Sequence, residues 1–239
     1  MGVTFTRSID AIFFDYDDTL VEFRRQSEKA IYAVSFEIYS GYNDVLKKCT
    51  LDCVYKAVME ISRELEYYGY YDRDEWWKNF FYKLKIEIDN INVRKLTEIY
   101  WSIASINSPY NDGLEIINFL KDNGYYLGII TNNDGKGIDK IVRLNRYPLI
   151  RKFDTIIIAG ENNIKPKPSI EPFIIATEKL GIRTSRTIMV GDNPIKDCWA
   201  SRMAGFKSVL IDRHDSMEKF PVFSTYVIKS LSELEKFLQ

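Results

Sequence analysis

Histidine is almost absent from this chain of 239 residues; His214 is the only one. It stands in a polar run, Asp212-Arg213-His214-Asp215-Ser216, and reads as a surface residue. A mechanism that needs a histidine base has little to draw on. Cysteine is scarce as well: three residues are too few, and odd in number, for a disulfide framework. Cys49 and Cys53 are four apart, on one face of a helix-like segment. No histidine or further cysteine completes a zinc set around them, so free thiols in a reducing compartment are the expectation. Charge of one sign is also lacking, since 33 basic and 34 acidic side chains leave a net charge of −1. That excludes a global draw toward nucleic acid or an anionic membrane. No run approaches the 18 consecutive apolar residues of a membrane span. The opening Met-Gly-Val-Thr-Phe-Thr-Arg lacks the basic-then-apolar plan of a secretion signal. Gly2 with Thr6 has no polybasic stretch to support a myristoyl anchor, and the expected location is cytoplasmic.

Glycine and proline are missing locally. Between residues 22 and 108 only Gly41 and Gly69 interrupt the chain, and no proline does. Apolar residues there recur at three and four, as in Ile31, Val34, Ile38 and in Val54, Ala57, Val58, Ile61, Leu65. The spacing predicts four or five helices. The dense aromatics of this stretch, Tyr67 to Tyr82, read as bundle core.

What is present outside that block is alternation. Residues 9–15 read as a fully buried strand. From Pro109 onward, strands are predicted at 125–130, 154–159, 187–190, 207–211 and 226–228. Helices are predicted between them at 113–123, 138–145, 170–180 and 195–204, and at 231–238 with Ser230 or Ser232 as N-cap. Gly181 and Gly205 stand where two of these helices should stop. The pattern implies an α/β domain, a doubly wound parallel sheet formed by residues 1–21 and 109–239. A helical domain, 22–108, is inserted after the first strand.

Ligands of such sheets sit beyond the carboxyl ends of the strands. After the first strand come Asp15, Asp17, Asp18 and Thr19; after the second, Thr131, Asn132, Asn133 and Asp134. After the third come Gly160 and Glu161, then Lys165-Pro166-Lys167-Pro168; after the fourth, Gly191, Asp192, Asn193 and Asp197. A single aspartate after a strand is usually a turn or cap residue. Four strand ends with complementary chemistry are not explained that way. Carboxylates gathered at one rim repel one another unless a cation lies between them, and hard oxygen donors point to magnesium beside a phosphoryl group.

At these residues the chain resembles the haloacid dehalogenase-like superfamily. Its DxDxT motif is Asp15-Tyr16-Asp17-Asp18-Thr19, its strand-end threonine is Thr131, and its GDxxxxD motif runs from Gly191 to Asp197. Its lysine before proline is matched twice, by Lys165 and Lys167; Lys167 is favoured because it stands six residues before Phe173, an aromatic that opens the next helix. The resemblance covers roughly residues 8–21 and 109–239, and the insertion looks like the family's type 1 helical cap. It implies a magnesium-dependent phosphatase acting on a small phosphorylated metabolite. Asp15 would be the nucleophile that forms an aspartyl-phosphate, and Asp17 the acid/base. Thr131 and the Asn132 backbone would bind phosphoryl oxygens, and Lys167 would pair with nucleophile and phosphate. The ion would be held by Asp15, the backbone carbonyl of Asp17 and Asp192. Asp197 is expected to orient the metal site and the lysine. Asp18 is expected to cap a turn and Thr19 to hydrogen-bond within its own loop.

Asp17 separates this chain from the dehalogenases, which attack carbon and lack that acid/base. A mutase of the β-phosphoglucomutase type keeps both aspartates and stands as the alternative enzyme. Two non-enzymes share some of these features, an inactive relative used for binding and a phospho-acceptor receiver domain. The receiver carries no comparable helical insertion. In the inserted block, Arg24, Arg25, Trp76, Trp77 and Lys78 are candidates for meeting substrate, set against the ordinary reading of solvated face or core. No nucleic-acid or membrane partner is expected, and the chain reads as a monomer or homodimer.

Overall fold

The computed structural model describes residues 9–46, 49–213 and 223–238; His214, Gly2 and Thr6 lie outside them. The chain divides into two compact units, one of residues 1–22, 108–133 and 144–239, the other of residues 23–107 and 134–143.

Among the described residues, the first unit is built on a sheet of six strands. Its strands are β1 (Ala11–Phe14), β2 (Tyr126–Asn132), β3 (Thr155–Ala159), β4 (Thr187–Gly191), β5 (Lys207–Ile211) and β6 (Tyr226–Ile228). Their spatial order is β3-β2-β1-β4-β5-β6, and every neighbouring pair is parallel. The sheet carries α6 (Asn111–Asp122), α8 (Glu171–Leu180), α9 (Ala200–Met203) and α10 (Glu235–Leu238). β1 explains why the sheet must be covered twice. Its period of two sends Ile12 and Phe14 into one apolar core with Leu127, Ile129 and Val190, and Ala11 and Phe13 into another with Ile130, Met189 and Phe173. Gly128 of β2 is required by close approach, because a Cβ there would lie 2.2 Å from the Phe13 ring. Gly181 ends α8 in the left-handed conformation at φ 65°. Ser230 forms a reciprocal capping box with Glu233 before the terminal helical turns.

The helix expected at 195–204 differs in kind. It begins as a π-helical stretch, Pro194–Trp199, and becomes α-helical only at Ala200. The Asn193 side chain accepts from the N–H groups of Ile195 and Lys196, while Asp197 turns back to accept from Asn193 N–H. These bonds open the first turn wider than an α-helix.

The second unit contains α1 (Arg24–Gly41), α2 (Asn43–Leu46), α3 (Leu51–Tyr67), α4 (Arg73–Lys83) and α5 (Asn90–Ala104). Thr50, Asp72 and Asp89 cap α3, α4 and α5 with side-chain oxygens. Its core includes Val34, Ile38, Val58, Trp76, Trp77, Phe81, Tyr100 and Trp101. Trp76 and Trp77 are therefore packing residues: both are buried, and Trp77 donates to Thr97. Arg24 and Arg25 are exposed, and Lys78 pairs with Glu75 on its own helix.

Cys49 and Cys53 correct the free-thiol expectation. They are joined by a disulfide, with Cα atoms 5.6 Å apart. Thr50 starts α3 at Leu51, which places the two cysteines across the first helical turn, within bridging reach. Cys198 is a free, buried thiol. Among the described residues, no helix is long and apolar enough to cross a membrane.

Candidate active site

The order of the strands reverses at β1, whose neighbours are β2 and β4. At such a switch point, the segments leaving the strand ends diverge and open a crevice. Asp15 follows β1, its backbone N–H bonded to Val190 O of β4 at 2.9 Å. The chain then turns tightly. The N–H groups of Leu20 and Val21 bond to Tyr16 O, and Asp18 takes a left-handed φ of 55°. Asp18 is thus a turn residue in a conformation that short polar side chains tolerate, rather than a helical cap. Thr19 departs from expectation. Its hydroxyl is buried without a hydrogen-bond partner, and its carbonyl instead accepts from Arg213 at 2.9 Å. Arg213 also grips both oxygens of Asp112 at 2.9 and 3.1 Å and lies 3.7 Å above the Tyr110 ring. Burial, then the Asp18 charge, pushes the Tyr110 phenol up to about 12.

Lys167 is the centre of the cluster. It is 3% exposed, and its ammonium donates to Asp15 at 2.9 Å, to Asp197 at 2.5 Å and to Ile130 O at 2.9 Å. All three ammonium donors are used. Burial alone would favour the neutral amine, but the Asp15 and Asp197 charges outweigh it and hold the pKa above the ordinary lysine range. Lys165 is exposed, and its backbone N–H bonds to Glu171. Asp197, 1% exposed, is pushed up to about 6 by burial and the Asp15 charge, against the opposing pull of Lys167. Gly191 makes room for it, since a Cβ there would stand 2.4 Å from the Asp197 carboxyl carbon. Thr131 is buried at the end of β2.

One contact was not legible in the residue pattern. The Asn132 side chain accepts from Lys167 N–H at 2.8 Å and donates to Lys167 O at 3.2 Å, clasping the lysine's backbone from the end of β2. The family resemblance implies a role only for the Asn132 backbone. An amide directly after the strand-end threonine was the available signal.

Carboxylate oxygens of Asp15, Asp192 and Asp197 lie within 4.8 Å of one another. The Asp17 side chain is not in this group. Three carboxylates gather here, two of them on the Lys167 ammonium, and all offer hard oxygen donors. That donor set fits magnesium, which takes one or two carboxylates and keeps several waters.

The comparisons with known proteins agree with this geometry. The family described as haloacid dehalogenase-like hydrolase matches residues 9–205. The chain belongs to this family. It is 30% identical over 237 residues to pyrimidine 5′-nucleotidase YjjG of Escherichia coli, covering 96% of this chain and 97% of that protein. It is 27% identical to a glyceraldehyde 3-phosphate phosphatase of Methanothermobacter thermautotrophicus, covering 96% and 100%. A solved HAD phosphatase from Thermococcus onnurineus superposes with TM-score 0.70 at 24% identity, covering 95% of this chain and 97% of the other. As a family member the protein is a hydrolase, with the family's α/β core.

Proposed function

We propose that the protein is a magnesium-dependent phosphatase that hydrolyses a small phosphorylated metabolite through an aspartyl-phosphate on Asp15. The observation that carries the reading is the Lys167 ammonium shared between Asp15 and Asp197, with Asp192 beside them. It holds one carboxylate, at the end of β1, in a fixed direction. In this reading an Asp15 oxygen attacks phosphorus and the ester P–O bond breaks, while Asp17 gives its proton to the leaving oxygen. Asp17 then takes a proton from the water that attacks the phosphoenzyme, releasing inorganic phosphate and restoring Asp15. Thr131 and the Asn132 backbone hold phosphoryl oxygens, and Lys167 balances charge on nucleophile and phosphate. Asp15, the Asp17 carbonyl and Asp192 would hold magnesium, with Asp197 orienting Lys167. When bound, the ion screens the anionic nucleophile from the anionic phosphate.

Hydrolysis of p-nitrophenyl phosphate with and without magnesium tests this. Wild-type protein should release phosphate over many turnovers, and Asp15→Asn should abolish release. Activity surviving in Asp15→Asn would overturn the nucleophile assignment; activity unchanged in excess chelator would overturn the metal. A panel including pyrimidine nucleoside monophosphates and glyceraldehyde 3-phosphate, the substrates named for the two full-length relatives, would place the substrate.

A further inference from the structure

The chain passes between its two units four times, at Glu22–Phe23, Asn107–Ser108, Asn133–Asp134 and Arg143–Leu144. Two of these crossings bound residues 23–107. The other two arise because residues 134–143, which follow β2 in sequence, belong to the helical unit. The four crossing residues on the helical side are Phe23, Asn107, Asp134 and Arg143, and the first three converge on the guanidinium of the fourth. Arg143, 1% exposed, donates to both Asp134 oxygens at 2.9 Å. It donates to Asn107 Oδ1 at 2.8 Å through Nη2 and at 3.3 Å through Nε. Its Cζ lies 4.5 Å from the Phe23 ring centre and 5.5 Å from that of Trp101. Lys140, also buried, adds a bond to Asp134 at 3.0 Å. On the sheet side the same junctions are tied independently. Glu22 N–H bonds to Ser108 O, and Asn133 bonds through its N–H to Ala159 O and through its side chain to Gly160 O. Leu144 lies in the sheet core.

We propose that Arg143 is a positioning residue, the pin at which the helical unit fastens its own ends of the four crossings. A rigid planar fork suits the task. It can hold a carboxylate, an amide and a ring face at once, which a lysine cannot. Because Asp134 stands two residues after Asn132, the pin also anchors the segment leaving the phosphate-binding strand end. That kinetic consequence rests on the phosphatase reading; the pin itself does not.

The test is backbone amide hydrogen exchange on the full chain, with Arg143→Met, Arg143→Lys and the milder Asn107→Ala. Exchange at Phe23, Asn107, Asp134 and their neighbours should rise about tenfold or more in Arg143→Met, with Trp76–Phe81 of α4 unchanged. Asn107→Ala should give the same pattern in weaker form. With p-nitrophenyl phosphate, kcat and KM should change together, as for a hinge. A loss of folded protein would instead lower kcat alone. Unchanged exchange at the junctions would overturn the proposal, as would an equal rise across α4. Full restoration by Arg143→Lys would overturn the role of the fork. Should Arg143→Met fail to fold, Arg143→Lys and Asn107→Ala decide. Should wild-type protein prove inactive, the phosphatase reading falls, while the exchange result still decides the pin.

Discussion

Replacing Lys167 with methionine keeps most of the side chain's volume and removes its charge and three hydrogen bonds. Asp15 and Asp197 would then face each other without the ammonium that both now contact, at 2.9 and 2.5 Å. Removing one partner of a buried ion pair costs ~3 to 5 kcal/mol, mostly because the remaining charge stays buried. In a chain of this size that corresponds to a fall of roughly 6–20 °C in Tm. Asp197 can relieve part of the cost by taking up a proton. Its carboxyl already sits at about 6, above its unfolded value of 3.8, and loss of the lysine moves it further up. A carboxyl whose folded pKa is raised binds its proton more tightly in the native state. The deficit of the variant is therefore largest at pH 8 and shrinks as pH falls toward 5. The assay is thermal and urea unfolding in chelator at both pH values, paired with p-nitrophenyl phosphate turnover in magnesium. Turnover should fall by about 100- to 1,000-fold, the usual loss when one preorganised charge is removed from an active site. Lys165→Met is the internal control. An exposed side chain outside the cluster should change stability by no more than ~0.5 kcal/mol. Unfolding of Lys167→Met within ~1 kcal/mol of wild type at pH 8 would refute the ion-pair account, as would a greater loss of rate in Lys165→Met than in Lys167→Met.

Asn132→Ala should cost only ~1 kcal/mol of stability. By loosening the lysine's backbone it should lower kcat/KM by about 10- to 100-fold, and an unchanged kcat/KM would remove the clasp from the mechanism. Asp112→Asn tests the Arg213 bracket. Burial works against ionisation of Asp112, but bonds from Arg213, Leu231 N–H and Ser230 outweigh it and hold the carboxyl below its ordinary value of 3.8. A depressed carboxyl stabilises above its unfolded pKa and loses that contribution as pH falls through the folded one. The variant should therefore be ~1 to 3 kcal/mol less stable at pH 7, with the gap closing below pH 3.8; urea titrations at pH 7 and pH 3 check it. Trp76→Ala should cost ~3 to 5 kcal/mol as a core truncation. A loss below 1 kcal/mol in urea unfolding would mean that Trp76 lines a surface after all.

The strands and the residues at their ends were legible because each rests on a local signal. Buried parallel strands are short continuous apolar runs, so "AIFF" and "TIIIA" mark themselves, and polar groups directly after them fall at one end of the sheet. What was hidden depends on side chains far apart in sequence. The hydroxyl of Thr19 looked like a loop donor, yet Arg213, 194 residues on, takes the loop's carbonyl and leaves the hydroxyl buried and unpartnered. The π-helical start at Pro194 follows from where Asp197 must point, which no apolar periodicity encodes. The disulfide depended on a cap, because only the start of α3 at Leu51 sets Cys49 and Cys53 across one turn. The attachment of residues 134–143 to the helical unit was invisible for the same reason. Asp134 reads as one of the polar residues at the strand-end rim, whereas its side chain is held by Arg143 and Lys140.

The lysine cluster also shows why charge alone does not define such a site. A buried ammonium between two carboxylates is attracted to both, but Coulombic attraction depends on distance and sets no bond direction. Direction comes from neutral contacts. Ile130 O takes the third ammonium proton, and the Asn132 amide fixes the lysine's own peptide from two sides. Both belong to β2, so the strand that carries Thr131 also aims the lysine. The Coulombic term then decides how strongly the cluster holds anions, and the hydrogen bonds from β2 decide where. A substitution that preserves the charge but breaks the clasp, as Asn132→Ala does, separates the two. It should leave the ion pairs formed and the rate impaired, an outcome that a purely electrostatic account of the site does not produce.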